Sequence, residues 1–219
     1  MKRVLEPELM LEEEQARAYS EADFSGPHQM FVELFRRRFG PQVSGPVLDL
    51  GCGPADVTVR FAKAYPEVEI HGVDGSPAML KYGRKRIEEE GLSERIKLIL
   101  GRIPEVDLPP KSYGVVIANS LLHHLPDPLV FWETVKKAGR PGAMVFVMDL
   151  LRPASREEAL RIVEKYASQE PEILKRDFYH SLLAGFRPEE IEDQLRESQL
   201  EGLTCEVVTD RHFIVHGVL

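Results

Sequence analysis

The chain has 219 residues, 43% of them hydrophobic and 29% charged, with a formal net charge of −8. Such a composition belongs to a folded globular protein able to bury one large core, not to a disordered chain. The acidic balance argues against broad nucleic-acid or membrane-surface binding, which needs basic patches, and two distant cysteines, Cys52 and Cys205, argue against a disulfide framework.

Residues 8–20 are acid-rich and helix-prone, and 27–39 form a better amphipathic helix with Met30, Phe31, Leu34 and Phe35 on one stripe. Neither Met1–Glu14 nor any later run is apolar enough for a leader or a membrane helix, so a cytoplasmic protein is expected. Gly40-Pro41 and Gly45-Pro46 punctuate the chain before a first strand at 46–50. Strands at 69–74, 96–101, 114–119 and 143–149 then alternate with helices at 55–65, 77–90 and 128–138. Repeated βα units imply a parallel sheet with helices on both faces, and runs such as Val115-Val116-Ile117-Ala118 suit strands buried on both sides. The basic clusters at Arg36-Arg37-Arg38 and Lys81–Arg86 read as solvated helix faces.

Beyond 150 the rhythm breaks. Helices are expected at 155–168, at 171–184 and from Arg187 to about 198, followed by short strands at 204–209 and 212–218. A tight hairpin at Asp210-Arg211 would set the last strand antiparallel. The expected fold is α/β: a seven-stranded, mostly parallel sheet with its last strand antiparallel. The expected organisation is a single domain over 1–219, with a helical cap at 1–40, a core at 41–150, a helical lid at 151–200 and a hairpin at 201–219.

The sharpest local signal is Val47-Leu48-Asp49-Leu50-Gly51-Cys52-Gly53-Pro54, followed by a second apolar run that ends at Asp74. Glycines after a buried strand let the backbone turn and approach a ligand, and an acid at the end of the next strand meets a ribose diol. The third position of a dinucleotide fingerprint is occupied by Asp56 rather than a small residue, and no P-loop is present. Asp49 beside the glycines repels phosphate and favours a cation. S-adenosylmethionine, with a sulfonium, an amino group, a ribose diol and no phosphate, matches that charge.

These pieces, with Gly72–Leu80, Leu100–Pro104, Tyr113–Pro128 and Arg140–Ala143 in order, resemble the class I S-adenosylmethionine-dependent methyltransferases, in particular their ubiquinone-biosynthesis-like branch. The resemblance covers residues 46–150, about half of the chain. It implies cofactor contacts at Asp49, Gly51, Gly53, Asp74, Gly75, Ser76, Met79, Ile103 and Asn119, with S-adenosylhomocysteine as product. Asp74 would hold the ribose hydroxyls and Met79 the adenine. Arg102 departs from the family, which usually places an acid there to accept from the adenine amino group. A guanidinium only donates, so either the backbone at Ile103 serves adenine or Arg102 points to solvent.

The acceptor is less legible, because methyl transfer mainly requires alignment and exclusion of water. His123 is the candidate base, set against a purely loop-shaping role for the His123-His124 pair. His124, Asp149, Arg152, Tyr19, His28 and Tyr179 are candidate acceptor contacts, with His180 beside the last. The alternative expectation is that Asp149 and Arg152 pair with each other and fix the loop. No metal is expected: His212 and His216 share a strand face without a third ligand, and His123, His124 and Asp127 lack a ligand spacing. The favoured function is methyl transfer to a small molecule, with no nucleic-acid or membrane partner. A non-catalytic nucleoside-binding module and an NAD-dependent oxidoreductase are the alternatives.

Overall fold

The structure is a computed structural model that describes residues 1–6 and 13–219. The predicted helix at 8–20 therefore lies partly outside the described residues. Its described part, α1, runs Glu13–Glu21, and α2 runs Ser25–Phe39. The alternating core follows: β1 (Val47–Leu50), α3 (Asp56–Ala64), β2 (Ile70–Asp74), α4 (Pro77–Glu89), β3 (Ile96–Leu100), β4 (Tyr113–Asn119), α5 (Leu129–Ala138) and β5 (Gly139–Leu150). Then come α6 (Arg156–Ala167), α7 (Glu172–Ala184), α8 (Pro188–Glu197), β6 (Leu203–Val207) and β7 (His212–Val218).

The seven strands form one sheet in the order β3-β2-β1-β4-β5-β7-β6. The first five are parallel, and β7 runs antiparallel between β5 and β6. Strand order reverses between β1 and β4, the place where open α/β sheets leave a crevice at their carboxyl ends.

Alternate strand residues feed two cores. Leu48, Leu50, Val116 and Ala118 face α5 and α8, where they pack with Phe131, Trp132 and Ile191. Val47, Val115, Ile117 and Phe146 face α2 and α3, where they meet Phe31, Phe35 and Phe61. That period of two with both faces covered explains why these strands read as unbroken apolar runs. Asp49 belongs to the second face, so its carboxyl is delivered to α3, where Thr58 donates to it at 2.6 Å.

Two expectations are corrected in detail. β5 begins at Gly139, not 143, because Tyr113 pairs with Gly139 before the register shifts to Val115 with Met144. The β6–β7 connection spans 208–211 rather than a tight turn at Asp210-Arg211. Val208 and Thr209 N–H donate to the His212 carbonyl, and Thr209 Oγ1 accepts from Arg211 and His212 N–H.

α6 and α7 follow β5 in the chain and form their own small core with Leu150 through Ala159, Ile162, Leu182 and Leu183. α1 bridges α4 and α7: Glu13 accepts from Lys81 at 2.6 Å, and Gln15 donates to Asp177 at 2.7 Å. Among the described residues, no helix is long and apolar enough to cross a membrane.

Candidate active site

A cavity of about 530 Å³ opens at the carboxyl ends of β1, β2, β4 and β5 and runs under α1, α2, α6 and α7. This size suits a nucleoside-sized ligand with a small partner.

The β1–β2 wall is largely backbone. Gly51 (φ +72°) and Gly53 (φ +53°) both lie in the left-handed region. A Cβ at Gly51 would meet Leu121 at 2.9 Å, whereas one at Gly53 would meet nothing within 4 Å. Gly53 thus leaves its side-chain space to the cavity, and Gly51 is required by packing and by the turn. Asp74 Oδ2 accepts from Gly53 N–H and Oδ1 from Ser76 N–H, both at 2.8 Å. Each oxygen retains a lone pair. Ser76 caps α4 by accepting from Met79 N–H at 3.2 Å, so Asp74 is not needed as the cap.

Burial raises the Asp74 pKa, although its two backbone donors oppose that. Burial also pushes Asp49 up to about 7, against the Thr58 hydrogen bond and with help from Asp74. Arg102 is exposed, and its stem lies where a Cβ on Gly75 would meet it at 2.9 Å. It edges the cavity beside Ile103. Asn119 lines the opposite side with a buried Oδ1 that has no hydrogen-bond partner.

The β4–β5 wall is built from side chains. A short 3-10 turn at Leu122–His124 follows β4. Asp149, fully buried on β5, holds that turn: Oδ2 accepts from Leu122 N–H at 2.7 Å, and Oδ1 contacts His123 Nδ1 at 2.5 Å. Glu6 reaches this point from the opposite end of the chain. Its Oε2 stands 2.5 Å from His124 Nδ1 and 3.8 Å from His123 Nε2, and Oε1 accepts from Ser181 Oγ at 2.7 Å. Arg3 secures the segment by donating to the carbonyls of Ala184, His123 and Leu125.

Burial alone would lower the His123 pKa, but the Asp149 carboxylate, with Glu6, raises it. Asp149 and Glu6 are lowered despite burial, by His123 and His124 respectively. Glu6, His123 and His124 bring one ligand-type atom each to within 4.8 Å of one another, a grouping that no spacing in the sequence announced.

The remaining candidates divide cleanly. Tyr19 and His28 line the cavity. Tyr19 stacks on Phe24 at 4.7 Å, and burial pushes its hydroxyl up to about 12. His28 Nδ1 meets Asp56 Oδ2 at 2.6 Å, with Arg60 on the same oxygen. Asp56 is held low by these partners despite burial. It opens α3 as a charged residue engaged by neighbours, where a dinucleotide site would have a small one.

Asp149, Arg152 and Tyr179 do not line the cavity. Asp149 and Arg152 do not pair either: Arg152 donates to the Gly185 carbonyl and to Glu190 at 2.6 Å, tying β5 to α8. Tyr179 packs on the α6–α7 core, one position off the face that α7 turns inward. That face is Leu174, Asp177, Phe178 and Ser181, residues at helical spacing in the sequence. Tyr166, Arg211 and His212 were also missed. Tyr166 OH donates to Asp210 at 2.7 Å, the Arg211 guanidinium lies 3.3 Å from its ring, and burial pushes His212 down to about 4.

The sheet order, the antiparallel seventh strand and the glycine-turn crevice facing a ribose-type acid define a Rossmann-like methyltransferase fold. The chain belongs to the methyltransferase domain family, whose sequence pattern matches residues 42–206. It is 31% identical over 127 residues to a demethylmenaquinone methyltransferase of Geobacillus kaustophilus, covering 58% of this chain and 54% of that protein. The chain thus spans about half the length of such relatives. A SAM-dependent methyltransferase from Aquifex aeolicus superposes with a TM-score of 0.69 at 17% identity, covering 94% of this chain and 98% of that one. The plantazolicin methyltransferase, solved with S-adenosylhomocysteine, gives 0.71 at 15% identity over 93% of this chain and 90% of its own. At these identities the two structures establish the shared fold.

Proposed function

We propose that the chain transfers the methyl group of S-adenosylmethionine to a small-molecule acceptor. The observation that carries this reading is the Asp74–Gly53 pairing at the mouth of the cavity, with open space at Gly53 and the Asp49 carboxyl beneath. Asp74 would hold the ribose hydroxyls through charge-assisted bonds. Met79 and Ile103 would flank the adenine, with backbone rather than the Arg102 guanidinium serving its amino group. Asp49 and Asn119 would receive the methionine portion, the buried carboxyl facing the positive sulfur. Such a cradle disfavours a pyrophosphate.

The acceptor would occupy the other half of the cavity, between the His123–His124 turn and the inward stripe of α7. Leu174, Phe178, Met148 and Leu150 offer an apolar wall, and Asp177 and Ser181 a polar edge. Relatives named as demethylmenaquinone methyltransferases favour an acceptor of that kind. On this reading His123 shapes the acceptor wall rather than taking the acceptor's proton itself: Asp149 fixes its ring at Nδ1, and Nε2 turns toward Glu6. α1, α6 and α7 act as the lid that keeps water from the transfer. The acidic charge fits an acceptor other than nucleic acid, and two free cysteines fit a reducing cytoplasm.

The test is turnover: incubation with S-adenosylmethionine and a panel of quinol, phenol and amine acceptors, read as S-adenosylhomocysteine formed. Acceptor-dependent product supports the reading. Cofactor binding without turnover on any acceptor would leave a binding module, and tight NAD binding in place of S-adenosylmethionine would refute it.

A further inference from the structure

Glu6, His123 and His124 make a cluster that the cofactor cradle does not use. Glu6 Oε2, His123 Nε2 and His124 Nδ1 are buried and make no hydrogen bond. All three atoms lie within 4.8 Å of one another. His124 Nδ1 and Glu6 Oε2 form an ion pair at 2.5 Å, while His123 Nε2 stands 3.8 Å from the same oxygen. Three converging polar atoms buried in this way are costly unless one partner satisfies them together.

The far atoms of the same groups are already fixed. His123 Nδ1 is held by Asp149, and Glu6 Oε1 accepts from Ser181. A carboxylate on the distant ring nitrogen is the usual outer support of a metal-bound histidine. Two imidazoles and one carboxylate suit zinc and leave a fourth position for a small ligand. Ligand atoms on one zinc ion stand about 3.3 Å apart. Glu6 and His124 would therefore separate by roughly 0.8 Å, a small side-chain rotation.

We propose that Glu6, His123 and His124 bind one divalent cation of zinc's class, whose open position takes an oxygen of the methyl acceptor. The cation site stands on its own geometry, and its use on an acceptor rests on the methyl-transfer reading. The acceptor hydroxyl, bound through its oxygen, loses its proton to solvent as it enters, before α1, α6 and α7 exclude water. The resulting anion donates an electron pair to the methyl carbon. The carbon–sulfur bond breaks, its electrons stay on sulfur, and S-adenosylhomocysteine leaves.

The experiment titrates the chelator-treated full chain with Co²⁺, read by visible absorption, and then displaces it with Zn²⁺. The expected result is one Co²⁺ per chain with the absorption of a four- or five-coordinate ion. Glu6→Gln and His124→Ala should each lower affinity by about 100-fold or more, and Asp149→Asn by about 10-fold. His216→Ala, on the outer part of β7, should leave it unchanged. S-adenosylhomocysteine titration of each variant reports that the fold is intact. No Co²⁺ binding by wild type, or equal binding by Glu6→Gln and His124→Ala, overturns the site. Cofactor binding without cation binding leaves the methyl-transfer reading standing and removes this inference. Cation binding without cofactor binding does the reverse.

Discussion

On the β1–β2 side of the cavity, the ligand-facing groups are two left-handed glycines, backbone N–H groups and carboxylates within one stretch, residues 49–79. On the β4–β5 side they are side chains drawn from residues 119–125 and 174–181, with Glu6 and Asp149 behind them, brought together only by the fold. On the proposed function, the first wall would hold the cofactor that every reaction of this family shares, and the second would fit one acceptor. The difference teaches where constraint lies: backbone geometry is specified locally, while a side-chain constellation needs the complete tertiary structure.

Gly51→Val should break the first wall outright. Its φ of +72° and the 2.9 Å approach of Leu121 leave no room for a branched side chain. S-adenosylhomocysteine binding should vanish in calorimetry while Co²⁺ binding persists. Loss of both would mean that the walls are not separable.

Phe178→Ala tests the second wall from the acceptor side. The acceptor KM should rise by about 10-fold, the scale of a lost apolar contact, with cofactor affinity unchanged. A shifted cofactor Kd would move Phe178 to the other half.

Asp49 predicts a pH dependence. Its folded pKa of about 7 lies above the unfolded value of 3.8, so between these values the folded state holds the extra proton. Its contribution to stability is therefore full below pH 3.8 and is lost as pH rises toward 7. Asp49→Asn should show less decline over that range by denaturant titration. The charged form suits a sulfonium, so S-adenosylmethionine affinity should rise by roughly tenfold between pH 6 and 8 in wild type. It should stay flatter in Asp49→Asn, and equal slopes would place the sulfonium elsewhere.

Smaller effects should fall on neither wall. Gln194→Leu leaves the buried Trp132 Nε1–H without its acceptor at 2.9 Å. A cost of about 1–3 kcal/mol is expected, visible as a lower Tm with both ligand affinities intact. Tyr166→Phe removes an exposed bond to Asp210, and its effect should stay below about 1 kcal/mol.

The same contrast explains what was legible in the sequence. The strands along the chain, the antiparallel last strand and the expected cofactor residues that line the cavity came from contiguous signals: apolar runs, a glycine turn, an acid at a strand end. The acceptor side came through only in part. Asp149 was expected to face substrate but is consumed by the Leu122–His124 turn, and Arg152 by Gly185 and Glu190. No local pattern announces such pairings. Tyr179 was expected at the acceptor, but the inward face of α7 is the 174/177/178/181 stripe, which leaves Tyr179 on the α6–α7 core. Glu6 had no signal at all, since its partners lie more than half the chain away.

The account depends most directly on Asp74, and calorimetry with S-adenosylhomocysteine on wild type and Asp74→Ala measures that dependence. A single site is expected in wild type, weakened in the variant by about 1.5–3 kcal/mol. Equal affinities, or binding of NAD in preference, would contradict it.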